Sequence, residues 1–214
     1  MSHYPKACFL TSAHKPGQFF RDEGAEVAFA GRSNAGKSSA INTIVNMRNF
    51  AHTSKSPGRT QLINFFALRE QQRLVDLPGY GYARVPRAVQ DHWRELLGAY
   101  FEQRVSIAGL VVVVDIRRGL GDFDWQMIDW ASRIGRPVHV LLSKADKLKR
   151  AAAIDALNQL RRETADTAIT SQLFSATSRA GVDDARIVID RLLSAHTQTP
   201  QIELSPVRLP DGSE

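Results

Sequence analysis

The chain has 214 residues, with 28 Lys and Arg against 22 Asp and Glu, a formal charge of +6. At about 100–200 residues per domain this is one domain, or one domain with tails, large enough to bury a core without metals or disulfides. Hydrophobic residues make up 43% and charged residues 23%, which excludes a wholly disordered chain. The single cysteine, Cys8, excludes an internal disulfide, and no Cys/His cluster has zinc spacing. The longest apolar stretch, residues 110–114, is far short of the roughly 20 residues that span a bilayer. With no apolar leader at the N-terminus, a cytoplasmic chain without a membrane partner is expected.

Residues 1–20 carry no clear period and are predicted to be an irregular arm. Residues 27–30 (VAFA) are a short apolar run before Gly31, predicted as a buried strand, and residues 38–46 follow with helical composition. Residues 61–68 (QLINFFAL) and 73–76 (RLVD) are predicted to form two strands joined by a polar turn. Residues 86–103 open on Pro86 and carry Val89, Trp93, Leu96, Leu97 and Tyr100 at helical spacing. Residues 110–114 (LVVVV) have the composition of a central strand covered on both faces. Helices over 123–133, 151–163 and 182–195 alternate with strands over 138–142 and 169–174, the last helix anchored by Ile187, Ile189, Leu192 and Leu193. The pattern implies an α/β fold with a mostly parallel sheet, one antiparallel edge pair and helices on both faces. Residues 197–214 hold three prolines without periodicity and are expected to be disordered, which leaves 21–196 as the folded domain.

Four motifs fall at the ends of predicted strands. Gly31, Arg32, Ser33, Asn34, Ala35, Gly36, Lys37 and Ser38 match G-x-x-x-x-G-K-S, between an apolar strand and a helix. In such a loop backbone N–H groups surround phosphates, the lysine reaches the β- and γ-phosphates, and the serine hydroxyl ligates Mg²⁺. Asp76, Leu77, Pro78 and Gly79 match D-x-x-G. There the carboxylate holds Mg²⁺ through water and the glycine N–H approaches the γ-phosphate. Ser143, Lys144, Ala145 and Asp146 resemble [N/T]-K-x-D, with Ser143 where Asn or Thr is usual. A carboxylate at Asp146 accepts from guanine N1–H and N2–H₂, a donor pair that adenine lacks. Ser175, Ala176 and Thr177 resemble the S-A-x element, whose backbone N–H reaches guanine O6. Taken alone, the last is an ordinary loop. The order and spacing of all four point to a guanine-nucleotide-binding domain of the Ras-like P-loop type.

The stretch DLPGYGYA at 76–83, with GRSNAGKSS at 31–39, SPGRTQ at 56–61 and VVDIRRG at 113–119, resembles the bacterial EngB (YihA/YsxC) GTPase family over most of the chain. The resemblance implies a compact six-stranded Ras-like domain that hydrolyses GTP to GDP. It further implies a monomeric switch in assembly of the large (50S) ribosomal subunit, contacting rRNA and ribosomal proteins, and needed for cell division and septation. By the same resemblance Ser39, Gly58, Arg59 and Thr60 join the nucleotide site, and Thr60 completes the Mg²⁺ shell. Lys37, Thr60 and Gly79 then carry catalysis. Tyr80 stands where Ras-type proteins place the water-orienting Gln, so slow intrinsic hydrolysis is expected. Asn34 matches the position from which cation-dependent GTPases of similar loop sequence coordinate K⁺.

The 21 arginines among 28 basic residues lean toward a nucleotide or RNA partner, though a genome-wide arginine preference produces the same surface. A nucleotide kinase would need an acceptor domain, for which the spacing leaves no 40-residue insertion. A basic RNA-binding module with a vestigial loop would show no guanine selectivity.

Overall fold

The computed structural model describes residues 3–51, 62–81 and 87–198. Seven strands form one sheet: β1 (Cys8–Ala13), β2 (Ala25–Ala30), β3 (Ile63–Arg69), β4 (Gln72–Asp76), β5 (Ile107–Asp115), β6 (Val138–Ser143) and β7 (Thr170–Leu173). Their spatial order is β1-β3-β4-β2-β5-β6-β7. The run from β4 to β7 is parallel, and β3 pairs antiparallel with both β1 and β4. The helices are α1 (Lys37–Val45), α2 (Arg87–Gln103), α3 (Asp122–Arg133), α4 (Arg150–Glu163) and α5 (Val182–Gln198).

The alternation of side chains along each strand divides the core into two layers. Ala28, Ala30, Leu110, Val112 and Val114 face one cluster with Trp93 and Leu97 of α2, Met127 of α3 and Leu160 of α4. Val27, Phe29, Val111 and Val113 face the other, with Ile41 and Ile44 of α1 and Ile189 and Leu193 of α5. All nine residues of β5 are buried, as the valine run requires of a strand covered on both sides.

The structure corrects several expectations. The sheet has seven strands, not six, because β1 lies within the stretch predicted as an irregular arm; Tyr4, ahead of it, is fully buried. CFLTSA shows little alternation because β1 is an edge strand with a register shift between Phe9 and Thr11. Consequently there are two antiparallel pairings, not one. Ile187 is also no core anchor, being 57% exposed while Ile189 and Leu193 are buried. The predicted disordered tail lies outside the described residues from 199 onward, and Pro86 lies outside them too.

At the end of the sheet where β2 begins, Glu26 is fully buried. Its carboxylate accepts from Arg104 Nε at 2.6 Å and Nη2 at 2.8 Å, from Tyr100 Oη at 2.9 Å and from Arg73 Nε at 3.3 Å. Arg104 also donates to the Phe20 carbonyl at 2.8 Å and lies over the Phe65 ring, 5.1 Å from its centroid. Arg73 donates to the Glu23 carbonyl and covers the ring of Phe20. The network thereby fastens the chain before β2 to β3, β4 and α2.

Candidate functional site

The four motifs converge at the carboxyl ends of β2, β4, β6 and β7, where parallel α/β sheets place ligands. Gly31 leaves β2 hard against β5, and a Cβ there would lie 2.6 Å from the Val113 carbonyl oxygen. Gly36 caps α1 at φ 100°, a conformation that glycine adopts without steric cost. Within the loop, the Ser33 N–H donates to the Tyr80 carbonyl at 2.8 Å and the Ala35 N–H to the Arg32 carbonyl at 2.9 Å. Those two amides are therefore engaged inside the protein. Asn34 is exposed at φ 64°, and Arg32 is exposed at the outer side of the loop.

Lys37 forms an ion pair with Asp76, the last residue of β4, and both side chains are about nine-tenths buried. Leu77 is fixed by its N–H to the Phe29 carbonyl at 3.0 Å, so Pro78 and Gly79 start from a set position beside the loop. The nearest atom to a Cβ built on Gly79 is the Ser33 Cα, at 3.6 Å. Gly58, Arg59 and Thr60 lie outside the described residues.

At the base end, the departure at Ser143 has a structural role. Its hydroxyl donates to the Ala35 carbonyl at 2.5 Å, joining the end of β6 to the phosphate loop. Lys144, at φ 58°, bridges the Asn34 carbonyl at 2.5 Å and Asp115 at 3.0 Å. Arg117 and Lys144 together hold the Asp115 carboxyl well below the ordinary carboxylate range. Ala145 donates its N–H to the Phe174 carbonyl at 3.1 Å, which ties the base loop to the end of β7. Asp146 accepts from the Ser175 hydroxyl at 2.6 Å and pairs with Lys147 at 3.2 Å. The Ser175 hydroxyl is the main influence holding the Asp146 carboxyl below its usual value. An ionised acceptor is what guanine's donor pair requires. Ser175 is itself buried, with its N–H on the Ala180 carbonyl, and Ala176 and Thr177 follow at the rim.

Three relationships have no signal in sequence spacing. Tyr80 pairs with Arg32 in a parallel bridge, and its hydroxyl donates to buried Asp124 at 2.5 Å. Burial pushes the Asp124 carboxyl up; burial and the neighbouring Asp124 push the Tyr80 phenol well up, so that it remains a donor. A cavity of about 450 Å³ opens beside this pair, between the phosphate loop and the start of α3, with Arg32, Ser33, Arg118 and Phe123 among its walls. Arg117 bonds back to Asp115 at 2.7 Å, whereas Arg118 is exposed.

Residues 26–144 match the family described as 50S ribosome-binding GTPase. A "Probable GTP-binding protein EngB" of Coxiella burnetii is 50% identical over 196 residues, covering 90% of this chain and 95% of the relative. Its counterpart in Methylobacillus flagellatus is 51% identical over 197 residues, covering 91% and 95%. Among solved structures, a probable GTP-binding protein engB superposes with a TM-score of 0.65 at 23% identity, covering 80% of this chain and all of the other. Aquifex aeolicus Era bound to GDP and AlF₄⁻ superposes at 0.61 with 17% identity, covering 80% and 56%. At these identities the two structures speak for the fold alone.

Proposed function

The chain belongs to the EngB family of GTP-binding proteins, and from that premise we propose a monomeric cytoplasmic switch that binds and hydrolyses GTP during assembly of the large (50S) ribosomal subunit. Normal septation and cell division depend on that assembly step in this reading. The observation that carries the nucleotide part is the pairing of a phosphate end, Lys37 with Asp76, and a guanine end, Asp146 with Ser175, at the carboxyl ends of the parallel strands. The family description of a 50S ribosome-binding GTPase supports the ribosomal part. Among the described residues no helix is long and apolar enough to cross a membrane.

Binding exchanges one set of charges for another. The amides of Asn34 and of residues 36–39 surround the phosphates, and Lys37 turns from Asp76 to the β- and γ-phosphates. Asp76, Ser38 and Thr60 are the residues that would hold a metal, the carboxylate through water and the two hydroxyls directly. No group of three or more acidic, His or Cys side chains suited to a metal exists among the described residues. Hydroxyl and water-mediated carboxylate donors fit Mg²⁺, a hard ion that keeps much of its hydration. When bound, Mg²⁺ neutralises charge developing on the phosphate oxygens. Gly79 donates its N–H to the γ-phosphate, Asp146 accepts from guanine, and the Ala176 N–H meets O6. Lys37, Thr60 and Gly79 thus stabilise the transferring phosphoryl group.

Asn34 is the residue that would coordinate K⁺ beside the phosphates. Hydrolysis is expected to run about tenfold faster in K⁺ than in Na⁺ at matched ionic strength, measured as phosphate release; equal rates remove the K⁺ role. The switch itself is tested by co-sedimentation with ribosomal subunits in GDP, in a non-hydrolysable GTP analogue and without nucleotide. Association with the 50S particle in the analogue and release in GDP are expected. Association indifferent to nucleotide refutes a switch.

A further inference from the structure

The residue after the D-x-x-G glycine is not presented to the nucleotide. Tyr80 is 4% exposed, its ring packed between Trp93 of α2 and Phe123 of α3 at centroid separations of 5.8 and 6.0 Å. Its hydroxyl meets Oδ1 of Asp124 at 2.5 Å, while Oδ2 of the same carboxylate accepts the Gly121 N–H at 2.8 Å. Both oxygens are thereby committed, one to the first turn of α3 and one to the tyrosine. The main chain of Tyr80 is held as well, through its bridge to Arg32 and its carbonyl on the Ser33 N–H at 2.8 Å. Gly79 is therefore suspended between two fixed points. On one side lies Leu77, bonded to β2; on the other lies Tyr80, bonded to the phosphate loop and, through its side chain, to α3.

A backbone donor stabilises a transition state only when its direction is set beforehand, since reorientation during reaction forfeits the gain. A glycine followed by an unanchored side chain has no such constraint. We propose that Asp124 is a positioning residue for GTP hydrolysis: through the Tyr80 hydroxyl it fixes the Gly79 amide for the γ-phosphate. This rests on the role given to Gly79 above. It accounts for a tyrosine at this position without asking the phenol to orient water, from which its burial removes it. It also gives the buried carboxylate at the start of α3 a purpose beyond capping that helix.

Tyr80→Phe removes the hydroxyl and keeps the ring between Trp93 and Phe123, so it isolates the contact from the packing. Single-turnover hydrolysis with Mg²⁺ and K⁺ is expected to fall about tenfold. Affinity for GDP, which has no γ-phosphate, stays within about twofold. Asp124→Ala gives a similar fall, and the double variant falls no further, because the two side chains act as one unit. Asp124→Asn keeps an acceptor oxygen for the hydroxyl and restores hydrolysis to within about threefold of the parent. Wild-type turnover in Tyr80→Phe overturns the proposal. So do additive losses in the double variant, or a matching loss of GDP affinity, which marks damage to the fold. Glycolic acid in place of Gly79 separates the two ideas, since the ester oxygen removes the N–H donor without adding a side chain. Normal hydrolysis with that backbone ester removes the role of the Gly79 amide itself. An inactive ester variant beside a fully active Tyr80→Phe removes only the role of Asp124.

Discussion

Asp146→Asn loses affinity for GTP by about 10²–10⁴-fold and gains a preference for xanthosine nucleotides. Asp146 follows β6 at the base end and already accepts a hydrogen bond from Ser175 at 2.6 Å. Guanine adds two donors, N1–H and N2–H₂, and a hydrogen bond to a charged acceptor is worth about 1.5–3 kcal/mol. Two of them give about 3–6 kcal/mol, which spans the stated range at 1.4 kcal/mol per decade. An asparagine amide turns one acceptor into a donor, which then faces the exocyclic amine of guanine. Xanthine carries a carbonyl at that carbon, and the match returns. The asparagine oxygen still accepts from Ser175, so the loop keeps its shape. Titration with fluorescent GDP and XDP measures the change. Unaltered guanine affinity would show that Asp146 does not read the base and would favour an RNA-binding module with a vestigial loop.

The second large effect lies at the opposite end of the sheet. Glu26→Ala removes the carboxylate that Arg73, Tyr100 and Arg104 share. Breaking a buried ion pair from one side costs about 3–5 kcal/mol, because the remaining charges stay buried without compensation. For a chain of this size each kcal/mol lowers Tm by about 2–4 °C. The expected fall is therefore about 6–20 °C, read by differential scanning calorimetry. GDP affinity of the folded protein is expected to stay unchanged, since the network sits where β2 begins and the nucleotide motifs where it ends. A Tm within about 2 °C of the parent would mean that the two arginines find other partners.

The motif residues were legible because each obeys a local rule: a loop between strand and helix, an acid at a strand end, a basic-acidic pair after the next strand. Residues 110–114 were legible because a strand buried on both faces has little choice of composition. Other features depend on pairs distant in the chain. Asp124 lies 44 residues from Tyr80, and Ala35 lies 108 from Ser143, with no periodicity to connect them. Glu26 gave no sign of its burial, because a charged residue at a strand start is ordinarily solvated. The β1 strand was missed because edge strands escape the demand for alternation that marks inner ones. Thr60, assigned by family resemblance alone, lies outside the described residues.

The extra strand restricts how the β3–β4 hairpin can move. The hairpin β3–β4 links the stretch that holds Thr60, ahead of β3, to Gly79, after β4, and a hairpin whose outer strand is an edge has a single ladder to hold its register. Here β3 is flanked, with Cys8 opposite Ala67 and Ala13 opposite Ile63 on one side and Phe66 opposite Leu74 on the other. A slip of one residue would turn buried Phe65 and Leu68 to the wrong faces on both sides at once. The stretch before β1 adds a further anchor: His3 and Tyr4 bond to Asp190 of α5 at 2.7 and 3.1 Å, and Arg69 at the end of β3 joins the same carboxylate at 2.7 Å. The hairpin therefore behaves as a fixed rail. Shortening the N-terminus through β1 is expected to release that register.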